Sequence, residues 1–208
     1  MHPNPAFRTE TDEQNIAFAR ERSFGMLTIN AETGPLVSHI PFLLSPDATE
    51  VELHLVRSNP IIRQISEPTP AALVVTGGDA YVSPDWYHVD DQVPTWNYVA
   101  VHLRGEISLL PHYELHGVLE RLSAAEEKRL LPKKPWTSDK MDQDVYERMQ
   151  RQIVPAKLVI SEINGTWKLS QNKPDAVRLS AADGVEAGAV GAQTGEIAEL
   201  MRGVKSSS

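Results

Sequence analysis

Over residues 95–107 the chain changes side-chain character at every second position. Trp96, Tyr98, Ala100, His102 and Arg104 fall on one face of an extended segment, and Asn97, Val99, Val101 and Leu103 on the other. A period of two is the signature of a β-strand, so this segment reads as a long strand with one aliphatic face and one aromatic and polar face. Trp, Tyr, His and Arg in register exceed what core filling requires. They suit the wall of a pocket for a flat polar ligand, and they equally suit a half-solvated sheet face. The strand closes a stretch, 79–107, that crowds three Tyr, two Trp and two His into a strand-loop-strand pattern.

The rest of the chain follows in order. Thr11 can cap a helix over 11–22, with Gln14 at the capping-box position and Ile16, Ala17 and Phe18 opening its apolar face. Segments 24–29 and 36–44, joined by Glu32-Thr33-Gly34, read as a hairpin whose second strand carries Ser38, His39 and Pro41. The proline marks a strand edge, bulge or end. A third strand over 51–56 leads into a helix start at 57–60, where Ser58 or Asn59 serves as N-cap and Pro60 suits the first turn. The N–H groups of that start, with Arg57 before it and Arg63 one turn on, make either a phosphate seat or ordinary capping beside two solvated arginines.

A central strand over 71–76 and a turn at Gly77-Gly78 bring the count to six strands in the first 110 residues, at spacings that favour a closed or partly closed antiparallel barrel. Residues 111–128 are helical by pattern, with Leu115, Val118, Leu119 and Leu122 on one face. The proline-rich run LPKKPWTSDK is a loop or lid, 142–153 a second helix, and 156–163 a strand. Asn164-Gly165 is expected to turn the chain into a hairpin with TWKLSQNK. The pattern implies one domain over 1–203, with helical additions at about 111–153 and 174–203, and a disordered tail at 204–208.

Several chemistries lose their support at this level. Cysteine is absent, which removes disulfides, thiolate–metal sites and a cysteine nucleophile. Of seven histidines only His112 and His116 have helical i,i+4 spacing, and no HExxH or GxSxG pattern occurs, so no metal is expected. The formal charge of -8, without a basic stripe, argues against direct DNA binding. No apolar run reaches the 18 residues of a membrane span and the N-terminus has no signal-like core, so a cytoplasmic protein is expected.

Four motifs in order, HLVRSNP (54–60), AYVSPDWY (80–87), PTWNYVAVHLRG (94–105) and WKLSQNK (167–173), resemble the PaiB-like family of FMN-binding negative transcriptional regulators. The resemblance runs from about residue 5 to 201. It implies an antiparallel split β-barrel, mainly β with added helices, of the flavin-reductase and pyridoxamine-phosphate-oxidase type. It also implies a homodimer with two FMN sites across its interface. By the same resemblance the phosphate falls to Ser38, His39, Arg57, Ser58, Asn59 and Arg63, and the flavin ring to Ile40, Thr95, Trp96 and Asn97. Trp167, Lys168, Gln171 and Asn172 would come from the second subunit. His39 and Pro41 stand where oxidase-type relatives tend to carry Arg and Lys. Two functions follow: a negative transcriptional regulator or flavin-dependent sensor, and an FMN-dependent oxidoreductase. No catalytic residue is singled out.

Overall fold

The computed structural model describes residues 1–204, which group into two compact units. The first comprises Ile16–Val75 and His102–Ile163. The second comprises Met1–Asn15, Thr76–Val101 and the chain from Asn164 onward.

The first unit is a barrel. Its strands are β1 (Phe24–Ala31), β2 (Gly34–Leu44), β3 (Glu50–Val56) and the portions that fall within it of β4 (Thr69–Val82), β5 (Thr95–Leu109) and β6 (Ile153–Lys168). They pair in the order β1-β2-β3-β6-β5-β4, and antiparallel pairing of β1 with β4 closes the ring. Closure removes the exposed edges that an open sheet would have to protect. Alternate residues point inward, so Leu27, Phe42, Leu53, Leu55, Leu73, Leu103 and Leu158 are all buried. Pro41 lacks an N–H, and it sits where β2 exchanges one partner for another: it is paired with Phe24 of β1, and the next residue, Phe42, faces Leu53 of β3.

Two expectations, one about a strand and one about a helix, are corrected here. The barrel's sixth strand is β6, because 71–76 and the residues after Gly77-Gly78 form a single strand, β4, with both glycines extended inside it. The helix expected over 142–153 is α3 (Gln143–Gln150), capped by Asp142, whose Oδ1 accepts from the Val145 N–H at 3.0 Å. It stops early because Ile153 is already paired with Val56 of β3. Ahead of it, α2 (Leu115–Lys128) buries Leu115, Val118 and Leu122.

In the second unit, β7 (Gly191–Ala192) pairs with β4 at Asp79 and Ala80. The helices are α4 (Asp175–Gly188) and α5 (Thr194–Gly203). Arg178 of α4 is 3% exposed; it donates to the carbonyls of Met201 (2.8 Å) and Val204 (3.1 Å) and pairs with Asp175. Of the tail expected to be disordered, residues 205–208 lie outside the described residues. At the N-terminus of α1 (Asp12–Arg22), Thr11 Oγ1 accepts from the Gln14 N–H at 3.3 Å, as the capping pattern requires.

The expected hairpin turn at Asn164-Gly165 does not form; β6 runs straight through both residues. The glycine serves packing instead. A Cβ on Gly165 would lie 1.9 Å from Asn15 Oδ1, so a bare backbone is what lets the Asn15 side chain reach Trp167 Nε1 at 2.9 Å.

Candidate functional site

The barrel unit holds seven of the residues singled out in the sequence. Asn59 caps a short 3-10 turn (Pro60–Gln64), its Oδ1 accepting from the Ile61 N–H at 3.0 Å, while its Nδ2 donates to Ser38 Oγ at 2.9 Å. That bond joins the middle of β2 to the turn that follows β3. His39 is exposed on the outer face of β2 and stacks on Phe24 with centroids 6.5 Å apart. Ser58 and Arg63 are exposed as well, and Ile40 is buried among the barrel's inward residues. Arg57 is committed in part to β6, donating to the carbonyls of Arg151 (2.8 Å) and Ile153 (3.3 Å).

A cavity of about 540 Å³ opens on the same outer face, beneath α2. Phe24, Pro41, Phe42 and His54 wall it from the barrel; Leu119, Leu122 and Trp136 close it from the other side. Its rim carries Arg22, Arg129, Glu126 and Glu127. Glu126 pairs with Arg129 at 2.9 Å. Glu127 accepts from Lys133 and from the Trp136 N–H, which fastens the loop after α2, and the bond from Lys133 holds its carboxyl below the usual range. His54 belongs to this wall, and its Nδ1 is shut off from solvent with no partner. Burial lowers the pKa of His54, so its ring stays neutral, with one donor and one acceptor nitrogen.

The other seven lie in the second unit, mostly engaged within it. Thr95 Oγ1 meets the Lys168 amine, which also lies 5.8 Å over the Phe7 ring. Burial lowers the Lys168 pKa. Asn97 is fully buried, its Nδ2 donating to Ser170 Oγ (2.9 Å) and Met201 Sδ (3.3 Å) and its Oδ1 without a partner. Trp167 is buried against Asn15, and Gln171 bonds the backbone of its own segment at Leu169 and Trp167. Trp96 and Asn172 are the two that face outward.

Of the cavity's residues, sequence reasoning passed over Phe24, Pro41, His54, Leu119 and Trp136 as site residues. For His54 a signal existed: a lone histidine alternating outward with Glu52 and Val56 in an otherwise ordinary strand. For Leu119 and Trp136 none did, since only folding carries them to β1–β3.

Comparison with known proteins agrees with this architecture. Residues 1–162 match the family model described as "Putative FMN-binding domain". The protease synthase and sporulation protein PAI 2 of Bacillus subtilis (strain 168) is 31% identical over 169 residues, covering 80% of each chain. Among solved structures, the FAD and heme binding protein from Mycobacterium smegmatis superposes with TM-score 0.56 at 16% identity, over 78% of this chain and 73% of the other. The flavocytochrome Anf3 from Azotobacter vinelandii gives 0.57 at 14% identity, over 80% and 72%. At such identities the structures speak for the fold, an antiparallel split barrel.

Proposed function

The chain belongs to the family described as "Putative FMN-binding domain", and from that premise we propose that it is a PaiB-like FMN-binding protein whose cofactor sits on the outer face of β2 and β3. The observation that carries the reading is the cavity there, walled from the barrel by Phe24, Pro41 and His54 and closed by Leu119 and Trp136. A flavin ring needs such a flat apolar surface with few polar contacts. His39 on the outer face of β2, and Ser58 and Arg63, exposed after β3, supply donors for the phosphate, and Arg57 adds charge. FMN, when bound, supplies one- and two-electron transfer at its ring.

Trp96, Lys168, Gln171 and Asn172 then complete the site from a second copy of the chain in a homodimer. Light scattering at micromolar concentration should give about twice the mass of one chain, and a monomer would sink the shared site. The name of the Bacillus relative, a protease synthase and sporulation protein, supports a regulatory role, and a cytoplasmic location is part of the same proposal. With a formal charge of -8, that role runs through a partner protein or through flavin state rather than direct DNA contact. Specific nanomolar binding to its upstream DNA at about 150 mM salt would overturn this.

The deciding experiment is the absorbance spectrum after saturation with FMN and gel filtration. Flavin bands retained at one per chain are expected; a colourless protein refutes the reading. Adding a reduced nicotinamide to the loaded protein separates the roles, since turnover would mark an oxidoreductase.

A further inference from the structure

We infer that residues 130–141 form a lid over the barrel-face cavity, latched shut by the carboxylate of Glu127, and that release of this latch governs passage into the cavity. The segment joins the end of α2 to Asp142, the N-cap of α3, and contains the proline-rich run LPKKPWTSDK. That the cavity seats the flavin is the reading given above, and the lid's purpose rests on it. The lid itself is read from its own bonds.

Burial shows how lightly the segment is held. None of its residues is buried, and only Trp136, Ser138 and Met141 are even partly covered. A stretch with so little apolar burial lies at the low end of local stability. The hydrogen bonds agree. Among the described residues, every bond that 130–141 makes outside itself ends on Glu127. The Lys133 amine and the Trp136 N–H, the latter at 2.8 Å, donate to its carboxylate, and the Leu130 N–H donates to its carbonyl at 3.1 Å.

The remaining bonds are internal. Lys140 donates to the Pro135 carbonyl at 2.9 Å, Thr137 to Asp139, and the Met141 N–H to the Ser138 carbonyl at 3.0 Å. Residues 135–141 therefore keep their own shape and move as a body, while the rings of Pro132 and Pro135 stiffen the approach from α2. This body carries one large apolar group, the Trp136 ring, which closes the cavity across from Phe24, Pro41 and His54. The latch that holds it down is a surface ion pair: the Lys133 side chain is 50% exposed and that of Glu127 18%. Such a pair is screened by salt and is exchanged for hydration at small cost, which suits a closure that opens each time a ligand passes.

The test uses the absence of cysteine from the chain, so that one introduced on the cavity wall reports access without background. The reporter is His54→Cys, alkylated by N-ethylmaleimide, a small neutral reagent to whose double bond the thiolate adds. Where the reagent is slow beside the lid's motion, the rate follows the open population. Adding Glu127→Ala, which removes both carboxylate bonds, should speed alkylation about tenfold. Glu127→Gln, which keeps an oxygen for the Trp136 N–H and loses the charge that meets Lys133, should speed it about threefold. Lys134→Met, which takes a cation from the same segment without touching the latch, should leave the rate unchanged. The proposal is overturned if Glu127→Ala alkylates no faster than the reporter alone, or if Lys134→Met accelerates it as much. Equal acceleration by Glu127→Ala and Glu127→Gln also overturns it, because the effect would then be that of charge on the thiol. Should His54→Cys fail to fold, Leu119→Cys on the same cavity carries the reporter. Retention of FMN by the cysteine-free parent is read separately: a protein that retains none refutes the flavin reading and leaves the alkylation rates to decide the lid.

Discussion

The aromatic stretch of the second unit and the outer face of β2 and β3 look alike as sequence, each mixing rings, histidines and polar groups. They spend those groups in opposite ways. In the second unit Tyr81 meets Trp86 and Trp96 edge-on at 6.4 and 6.0 Å, Asn97 and Tyr87 both bond Ser170, and Arg178 is consumed by carbonyls and Asp175. On the barrel face His39 and Arg63 stand in solvent and His54 keeps a buried nitrogen unbonded. A dense polar and aromatic run therefore marks internal scaffolding as readily as a ligand site. The more telling sign is a cavity on the barrel face whose walls the fold leaves uncovered.

If that contrast is right, substitutions of the buried, bonded groups of the second unit should cost stability and those on the barrel face should cost ligand. The largest effect is expected from Arg178→Met, which strips two buried carbonyls of their charged donor and should lower unfolding free energy by about 3 kcal/mol. Urea unfolding measures it, and a change below about 1 kcal/mol would mean the buried arginine is not a structural clasp.

Next comes Arg57→Ala on the barrel face. Losing a charge-assisted phosphate contact should weaken FMN binding about tenfold and leave riboflavin, which has no phosphate, unaffected. Equal loss for both would make the bonds to Arg151 and Ile153 the residue's whole purpose. A smaller effect is expected at Gly184, where a new Cβ would stand 2.3 Å from Trp86 Cγ. Overpacking of about 2 kcal/mol, offset by about 1 kcal/mol of helix propensity, leaves Gly184→Ala less stable by about 1 kcal/mol. A stabilised variant would show that Trp86 moves freely.

The smallest effect is in pH. Burial lowers the pKa of His54, and of His102, below the ordinary value of 6.5, so the unfolded chain takes up protons there before the folded one does. Stability should fall as pH drops below about 6.5 and be insensitive to these groups above it. Thermal melts of His54→Leu between pH 7.5 and 5.5 should show a shallower decline than the parent. An unchanged slope would mean that His54 charges as easily in the folded protein as in the unfolded one.

How much of this could be read in advance differs from element to element. Thr11, the 32–34 turn, Asn59 with Pro60 and the alternation of β5 were all legible, because each depends on residues within one turn or one strand of itself. The ordered motifs carried the family and, through it, the split barrel. Asn164-Gly165 was misleading, since a strong local turn signal yielded to the Asn15 side chain packed against the glycine. Gly77-Gly78 likewise stayed extended inside one continuous strand. For the site, the residues of β2 and β3 were within reach of sequence reasoning, while the roof of the cavity was not: Leu119 and Trp136 meet His54 only after the barrel closes and α2 docks on it. Sequence by itself determined β1, β2, β3 and β5, the caps at Thr11 and Asn59, and the family, because short-range patterning encodes them. Only the tertiary structure decided which polar groups were spent on packing and which were left for a ligand, because that depends on what stands opposite each side chain.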